Sequence, residues 1–466
     1  MKNKIRIGCG AGFSGDRIEP AVILAEKGEL DYLVLECLAE RTIALAQKRK
    51  MADPSKGYDP LLERRIETLL PHLVKNNIRL ITNMGAANPI EGAKRIKEIA
   101  QKQGLKIKVA AVGGDELRIR NEELEINDIQ IFGEEYEALK LIKNELNNEK
   151  LLIPNRTANR SQLLISMNAY LGVEGILEAL QADAQIIITG RVADPSLFLA
   201  PMIHEFGWKT DDYDLLGKGT VIGHLMECGG HITGGYFADP IMKPVENMEN
   251  MGHPFADVFD DGSAIIGKVE GTGGVINLQT AKEQLLYEVI NPSEYYTPDV
   301  VTDFTSVKLE EIDKNKIRIT GGGGKIKPET YKVSIGYKAF WLGEGEISYA
   351  GPAAFERAKL AGEIIEKRLQ AQFEEIKIDY IGVNSTFDNR WPSEAEATIS
   401  EVRLRIAAKT QSQADAALVG EEVEALYTNG PAGGGGVRKY VNEVIGITSV
   451  LVDRSKFLPQ ISVFES

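Results

Sequence analysis

Continuous apolar runs alternate with amphipathic stretches over the first 200 residues of the chain. Stretches such as 61–76 and 90–103 have the period of an amphipathic helix. The runs between them are apolar at every position, and such strands are buried on both faces, so the pattern predicts a mainly parallel, doubly wound α/β sheet. A barrel would also alternate strand and helix, but irregular helix spacing favours the open sheet. The candidate strands are 5–9, 32–35, 78–82, 107–112 and 185–189.

After residue 262 the pattern changes to short β segments, and Asp313-Lys314-Asn315 is typical of a hairpin turn. A helix over 352–372 then opens a smaller α/β unit. We therefore predict an N-terminal α/β domain with the active-site cleft (1–262), a β-rich segment (263–349) and a C-terminal α/β domain with a glycine-rich loop (350–466). The later candidate elements are strands at 264–269, 300–307, 316–319, 332–337, 376–383, 401–407 and 449–453 and a helix at 412–426.

Each of the five N-terminal strands ends in a polar or glycine-rich cluster. Ligands of open α/β sheets bind at the carboxyl ends of the strands. Glycine, Asn and Asp are also ordinary turn formers, which explains any single strand end equally well. Glu36 and Arg191 are not turn formers, so we expect one shared cleft. The polar residues at these ends are Asp16, Arg17, Glu36, Asn83, Asp115, Arg191 and Asp194.

The turn after the first strand contains Gly10, Gly12 and Gly15 at the spacing G-x-G-x-x-G, and the second strand ends on Glu36. Together these are typical of a dinucleotide site, because glycines let the backbone approach an anion and the next helix offers free N–H groups. Asp16 follows directly, however, and its charge would repel a pyrophosphate. We therefore favour a polar catalytic site, and a dinucleotide-dependent oxidoreductase stays as the alternative.

The segment from His224 to His231 places His224, Glu227, Cys228 and His231 at helical spacing. On one helix face, imidazole and carboxylate groups could hold a divalent metal, although two glycines before His231 would interrupt the helix. Alternatively, Glu227 or Cys228 is catalytic, a thiolate there needing a nearby cation, or these side chains only pack. The pattern does not identify a cofactor; these residues are compatible with none or with a divalent metal held by His224, Glu227 and His231.

Four consecutive glycines from Gly433 to Gly436 form a second glycine-rich loop, with Arg438 just beyond it. Such a run can align backbone N–H groups around an anion, and the arginine adds positive charge. We predict Gly433, Gly434 and Arg438 as substrate-binding residues. A flexible surface loop is the alternative.

Composition restricts the class of partner. The 466 residues carry a formal net charge of −14 without a block of Lys or Arg, so nucleic acid and anionic membranes are not expected partners. Three cysteines fit a reducing cytoplasm. The first strand begins without an apolar signal region, and no apolar run reaches the roughly 20 residues of a bilayer span. We expect a cytoplasmic protein.

Six short motifs in this order resemble the acyclic terpene utilisation family over nearly the whole chain. They are Gly10 to Arg17, Leu35-Glu36-Cys37-Leu38-Ala39-Glu40, Thr82-Asn83, Gly190-Arg191-Val192-Ala193-Asp194, Glu227-Cys228-Gly229 through Phe237, and Asn429-Gly430-Pro431-Ala432-Gly433-Gly434-Gly435. Cys37 and His231 stand where many relatives are expected to have Tyr and Gln, which counts against the metal site.

The resemblance implies a role in the breakdown of acyclic terpenes or other branched carboxylates, beside acyl-CoA carboxylases and hydratases. It also implies a small ferredoxin-like α/β domain, which would come from a separate subunit because this chain ends soon after its last predicted strand. We expect a homo-oligomer acting on a small carboxylate or an acyl-CoA. A scaffold or CoA-binding accessory subunit of an acyl-CoA carboxylase is a second alternative.

Addition or removal of water across an activated C=C is the reaction that fits these residue types best. It needs a base for the α-proton, an acid for the leaving hydroxyl and cations for the carboxylate. We expect Glu36 or Asp16 as the base and Glu227 or Asp194 as the acid. Arg17 and Arg191 are expected to bind the carboxylate, because a guanidinium grips it through two N–H groups.

Overall fold

A computed structural model of the chain describes residues 2–117, 129–131, 164–386 and 399–466. The described residues form two compact units. One unit contains the described residues up to Gly336 together with Ile447–Ser466, and the other contains those within Tyr337–Gly446. None of the helices formed by the described residues combines the length and apolar character that a membrane crossing requires.

The described strands are numbered in chain order: β1 (Lys4–Ala11), β2 (Tyr32–Leu35), β3 (Arg79–Thr82), β4 (Lys108–Gly113), β5 (Ile129–Ile131), β6 (Leu164–Ala169), β7 (Ile186–Thr189), β8 (Pro254–Phe259), β9 (Ala264–Lys268), β10 (Tyr295–Tyr296), β11 (Val301–Asp303), β12 (Lys308–Asp313), β13 (Lys316–Thr320), β14 (Gly323–Lys325), β15 (Thr330–Ala350), β16 (Ile376–Ile381), β17 (Glu401–Thr410), β18 (Gly435–Asp453) and β19 (Gln460–Glu465). The described α-helices are α1 (Glu19–Lys27), α2 (Glu40–Ala52), α3 (Leu62–Lys75), α4 (Pro89–Lys102), α5 (Glu174–Gln181), α6 (Ser196–Phe206), α7 (Tyr213–Glu227), α8 (Leu278–Leu286), α9 (Ala354–Leu369), α10 (Gln413–Glu424) and α11 (Leu426–Asn429).

Five parallel strands in the order β1-β2-β3-β7-β4 form the centre of the first unit. Neighbouring residues of one strand point into different cores: Leu33 packs with α1, α3 and α4, and Val34 packs with α5, α6 and α7. Both faces are covered by helices, which is why the strands are apolar at every position. The predicted doubly wound α/β fold is confirmed.

Antiparallel strands extend this sheet on both sides, in the full order β12-β13-β9-β8-β1-β2-β3-β7-β4-β19. The hairpin turn predicted at 313–315 joins β12 to β13, and Asn315 adopts a positive φ of 59° there. Two of the strands predicted for the β-rich segment, 264–269 and 316–319, are β9 and β13 and therefore belong to the main sheet. The segment 263–349 is not a unit of its own, because β9 pairs with β8 and β13 pairs with β9, which continues the main sheet.

The second unit is a smaller α/β fold. Its elements run in chain order β15, α9, β16, β17, α10, β18, and the strands lie in the spatial order β16-β17-β15-β18. This is the β-α-β-β-α-β arrangement of ferredoxin-like units. The two helices cover one face through a core that includes Ile347, Leu404 and Ile365. The smaller unit therefore has a ferredoxin-like topology, and the separate ferredoxin-like partner stays a prediction.

The C-terminal boundary differs from the predicted one. The chain enters the second unit at Tyr337, inside the long strand β15, and leaves it at Gly446, inside β18. The segment predicted as the last strand, 449–453, is the end of β18. The final strand β19 pairs with β4, with Ile461 opposite Val112, and so belongs to the first unit. This pairing joins residues about 350 positions apart, which no local pattern indicates.

Candidate active site

The glycine-rich turn after β1 is held by its own chain. A carboxylate oxygen of Asp16 accepts a hydrogen bond of 2.8 Å from the backbone N–H of Gly12. The buried guanidinium of Arg65 donates to the carbonyl oxygens of Ser14 and Asp16 at 2.9 and 2.8 Å. Asp16 therefore takes an N–H group that a dinucleotide phosphate would need. Gly10 packs against Ala21 of α1, and Gly15 lies beneath the ring of Phe13.

Glu36, at the end of β2, is a buried carboxyl with a defined hydrogen-bonding pattern. Its Oε1 accepts from the backbone N–H of Leu38 and from Nδ2 of Asn83, both at 2.8 Å. Burial raises the pKa of Glu36 well above its ordinary value, the charge of Asp194 raises it further, and Arg191 opposes both. Glu36 and Asn83 follow neighbouring parallel strands, which is why they meet.

Arg191 follows β7 and is 2% exposed. Its backbone N–H donates to Asp115 at 3.1 Å, and Nη1 donates to the carbonyl oxygen of Leu38. Nη2 lies 3.1 Å from Asp194 Oδ1. Nε is buried and has no hydrogen-bond partner among the described residues. Burial lowers the pKa of Arg191, but the surrounding acids outweigh it, so the group stays charged.

Three residues that the sequence analysis did not select surround this arginine. The guanidinium carbon of Arg191 lies 3.9 Å from the ring centroid of Tyr170. The hydroxyl of Tyr170 donates to Glu40 Oε1 at 2.9 Å, and Lys332 Nζ lies 2.6 Å from the same oxygen. Glu40 is the last residue of the motif Leu35-Glu36-Cys37-Leu38-Ala39-Glu40. The sequence around Tyr170 and Lys332 contains no motif that points to a site. They reach the site because β6 pairs with β15.

Asp115 joins the ends of β4 and β7. Oδ2 of its buried carboxylate accepts from Nδ2 of Asn168 at 2.8 Å as well as from the Arg191 backbone. Burial raises the pKa of Asp115 to about 6, and those two donors oppose the rise. Because Asp115 accepts from the backbone N–H of Arg191, it fixes the position of the Arg191 backbone.

Glu227, the last residue of α7, is a second buried carboxyl. Its Oε1 lies 3.0 Å from Nδ1 of His224, and its Oε2 is buried without a hydrogen-bond partner among the described residues. Burial raises the pKa of Glu227 to about 7 against the opposing His224, and Asp194 and Glu288 add to the rise. The rings of Tyr295 and Phe304 pack on the His224 ring, each with a distance of 5.3 Å between ring centroids. Glu227 therefore changes protonation near neutral pH.

The turn after β1 and the end of α7 are in direct contact. A Cβ on Gly12 would lie 2.2 Å from the backbone carbon of Cys228. Burial raises the pKa of the half-buried Cys228 thiol, and Glu227 and Glu36 raise it further. Cys228 is therefore a protonated thiol. Asp194 raises the pKa of both Glu36 and Glu227, which places these three carboxyls in one electrostatic cluster.

The residues considered for a metal do not form a ligand set. His224 contacts Glu227, whereas His231 lies against the ring edges of Tyr287 and Tyr236 at centroid distances of 4.9 and 6.0 Å. The residues that the structure describes contain no group of three His, Cys, Asp or Glu side chains arranged to hold a metal ion. The helix ends at Glu227, as the following glycines indicated, so His231 leaves its face.

Arg17 lies apart from this cluster. Its side chain is 57% exposed, 3.4 Å from Glu19, and it donates to the backbone carbonyl of Glu249. Unlike the buried Arg191, Arg17 lies at the surface, and its contacts are with surface residues.

The predicted residues of the second glycine-rich loop lie in the smaller unit. Arg357 fixes this loop by donating to the carbonyl oxygen of Ala432 at 2.7 Å. Gly433 has a φ of +77°, and a Cβ on Gly434 would meet Ile347. Arg438 is exposed on β18. The loop is therefore an ordered turn tied to α9.

The described residues thus define a two-unit α/β protein with a buried polar cluster at the carboxyl edge of its parallel strands. The model of the acyclic terpene utilisation family protein AtuA matches residues 5–463. The chain belongs to this family. Searches of curated proteins and of solved structures found no match.

Proposed function

We propose that this protein is a cytoplasmic catabolic enzyme that adds or removes water across the C=C of a short or branched carboxylate or its CoA thioester. The observation that carries the proposal is the buried, charged Arg191, whose Nε has no partner among the described residues and which lies beside carboxyls of raised pKa. A buried donor of this kind costs about 1–3 kcal/mol when unpaired, which an anionic ligand would relieve.

Of the two candidates for the base, Glu36 and Asp16, the contacts favour Glu36. Asp16 is committed to the Gly12 amide, whereas Glu36 lies beside the Arg191 and Asp194 charges. A carboxylate with a raised pKa is a stronger base when ionised than an exposed one. Glu36 is therefore the proposed base for the α-proton, with Asn83 holding its Oε1.

Glu227 is the proposed acid for the leaving hydroxyl. With a pKa of about 7, it keeps its proton in a substantial fraction of molecules at neutral pH, and its Oε2 is free to face a ligand. Asp194 is the counter-ion of Arg191 at 3.1 Å and is less available as an acid. Cys228, as a half-buried, protonated thiol, has no role in the proposed step.

The alternatives are less well supported by these contacts. For a dinucleotide-dependent oxidoreductase, the Gly12 amide would have to be released from Asp16. For a CoA-binding accessory subunit, the loop at Gly433 and Gly434 would have to bind phosphate beside Arg438. NADH titration by fluorescence and co-purification with carboxylase subunits test these two alternatives.

The test of the proposal is a hydration assay with branched α,β-unsaturated carboxylates and their CoA thioesters. Loss of the conjugated absorbance and a mass gain of one water are expected, and Arg191→Lys, Glu36→Gln and Glu227→Gln should each reduce turnover by about 10²-fold or more. Arg318→Lys, in an exposed ion pair with Glu310, is the matched control and should leave turnover unchanged. Full turnover in the Arg191 variant would overturn the proposed site.

A further inference from the structure

Two of the three side-chain nitrogens of Arg191 have partners in the protein, and the third has none among the described residues. Nη1 donates to the Leu38 carbonyl oxygen and Nη2 faces Asp194, so both terminal nitrogens are committed to the protein. Only Nε is buried without a partner among the described residues. Because a guanidinium is planar and rigid, the orientation of its plane decides where the Nε–H bond points.

Tyr170 covers this plane. The guanidinium carbon lies 3.9 Å from the ring centroid, within the range of a cation–π contact, which is stronger in a desolvated setting. Tyr170 is itself fixed by three contacts. Its hydroxyl donates to Glu40 Oε1 at 2.9 Å, its backbone N–H donates to the carbonyl oxygen of Lys332 at 2.9 Å, and Lys332 Nζ lies 5.1 Å from the ring centroid.

The Glu40–Lys332 ion pair completes the support. The two side chains meet at 2.6 Å, both partly exposed, and Lys332 keeps Glu40 ionised although Glu40 is partly buried. An ionised Glu40 is a strong acceptor for the Tyr170 hydroxyl. The chain of contacts therefore runs from Lys332 through Glu40 and Tyr170 to the guanidinium.

We propose that Tyr170 is a positioning residue for Arg191, which it holds so that the Nε–H group is the donor presented to the carboxylate of a ligand. The part that concerns the ligand rests on the proposed function; the positioning itself does not. The aromatic face supplies the main contact, and the hydroxyl fixes the ring through Glu40.

The experiment is NMR of the arginine Nε–H groups in the full-length, deuterated protein. Arg191→Lys identifies the Arg191 signal by its disappearance. A group held over an aromatic face has a ring-current shift, so we expect Tyr170→Phe to keep the shift and Tyr170→Leu to lose it. Tyr331 stacks on Arg454 at 4.2 Å in the same way, so Tyr331→Leu is the matched control and should move the Arg454 signal alone. An Arg191 signal that is unchanged in Tyr170→Leu would overturn the positioning role.

Titration with methylfumarate, a branched unsaturated dicarboxylate, then separates the two claims. We expect the Arg191 Nε–H signal to move on binding, and the Kd to weaken about tenfold in Tyr170→Leu and to recover in Tyr170→Phe. If Tyr170→Leu loses the ring-current shift but binds methylfumarate as tightly as the wild type, presentation of Nε–H to the ligand is wrong while the positioning stands. If none of the carboxylates and CoA thioesters of the hydration assay, methylfumarate included, binds the wild type, the proposed function fails and the ring-current result still decides the positioning.

Discussion

Asn83 donates a 2.8 Å hydrogen bond from its side-chain amide to Oε1 of Glu36. Its own Oδ1 accepts from the backbone N–H of Cys37 at 2.7 Å, so one amide fixes both the carboxyl and the backbone that follows it. Asn83 is fully buried, and water cannot replace either contact. The amide therefore serves both stability and the orientation of the proposed base.

Replacing Asn83 with Leu should destabilise the protein by about 1–3 kcal/mol, because the Cys37 N–H would be buried without its acceptor. Urea unfolding at neutral pH measures the loss. Asn429→Leu, at an exposed amide of the smaller unit, is the control and should change the unfolding free energy by less than about 0.5 kcal/mol. Equal effects of the two substitutions would contradict the role of Asn83.

Glu227 should make the protein less stable as the pH rises. Its folded pKa of about 7 lies above the ordinary 4.5, so between these values the unfolded chain releases a proton that the native state keeps. Stability therefore falls through this range, by up to about 3 kcal/mol.

The measurement is the unfolding free energy of the wild type and of Glu227→Gln from pH 4.5 through 7 and on to about 8.5. The wild type should lose stability relative to the variant across that range, and the difference should level off above it. Glu310→Gln, at a carboxylate with 64% side-chain exposure, is the control and should track the wild type. Parallel curves for the wild type and Glu227→Gln would show that Glu227 has an ordinary pKa.

Gly12→Ala should disrupt the junction between the turn after β1 and the end of α7. The added methyl group would lie 2.2 Å from a backbone carbon of Cys228, and backbone cannot rotate away as a side chain can. We expect a loss of about 1–3 kcal/mol from overpacking, together with reduced turnover because Glu227 is displaced. Thermal unfolding and the hydration assay report the two effects.

Gly435→Ala is the matched control for this substitution. A Cβ at Gly435 meets nothing within 4 Å, so stability should be unchanged or slightly increased. A Gly12→Ala protein as stable as the wild type would mean that the turn and the helix end are not packed together as the structure shows.

Substitutions of Asp16 test whether this carboxylate has a structural role or a catalytic one. Asp16→Asn keeps an oxygen that can accept from the Gly12 N–H and should retain stability and most turnover, whereas Asp16→Ala should lose about 1 kcal/mol. Chemical unfolding and the hydration assay test both variants. Turnover abolished in Asp16→Asn with stability unchanged would make Asp16 the base in place of Glu36.

Part of the candidate site was predictable from the strand ends. Parallel strands bring their carboxyl ends to one edge of a sheet, so Glu36, Asn83, Asp115 and Arg191 could be grouped from the sequence alone. The structure shows direct contacts between Asn83 and Glu36 and between Asp115 and Arg191. Arg17 looked equivalent to Arg191, and only the fold distinguishes the buried arginine from the exposed one.

Other parts depended on contacts between distant segments. Tyr170 and Lys332 meet because β6 pairs with β15, and Glu227 meets the first turn because α7 packs near β1. Neither segment differs locally from an ordinary core strand or helix. Each of the two long strands, β15 and β18, continues unbroken across a unit boundary, so their division between units was not predictable.

The amino-acid sequence alone determined the doubly wound α/β class, because residues apolar at every position require cover on both faces of a strand. It also determined which polar residues stand at the strand ends. The tertiary structure decided which of them are buried together, which acid caps a turn and which faces a guanidinium, and where β19 pairs. Those outcomes depend on long-range packing and on the desolvation that follows from it, and a local pattern contains neither.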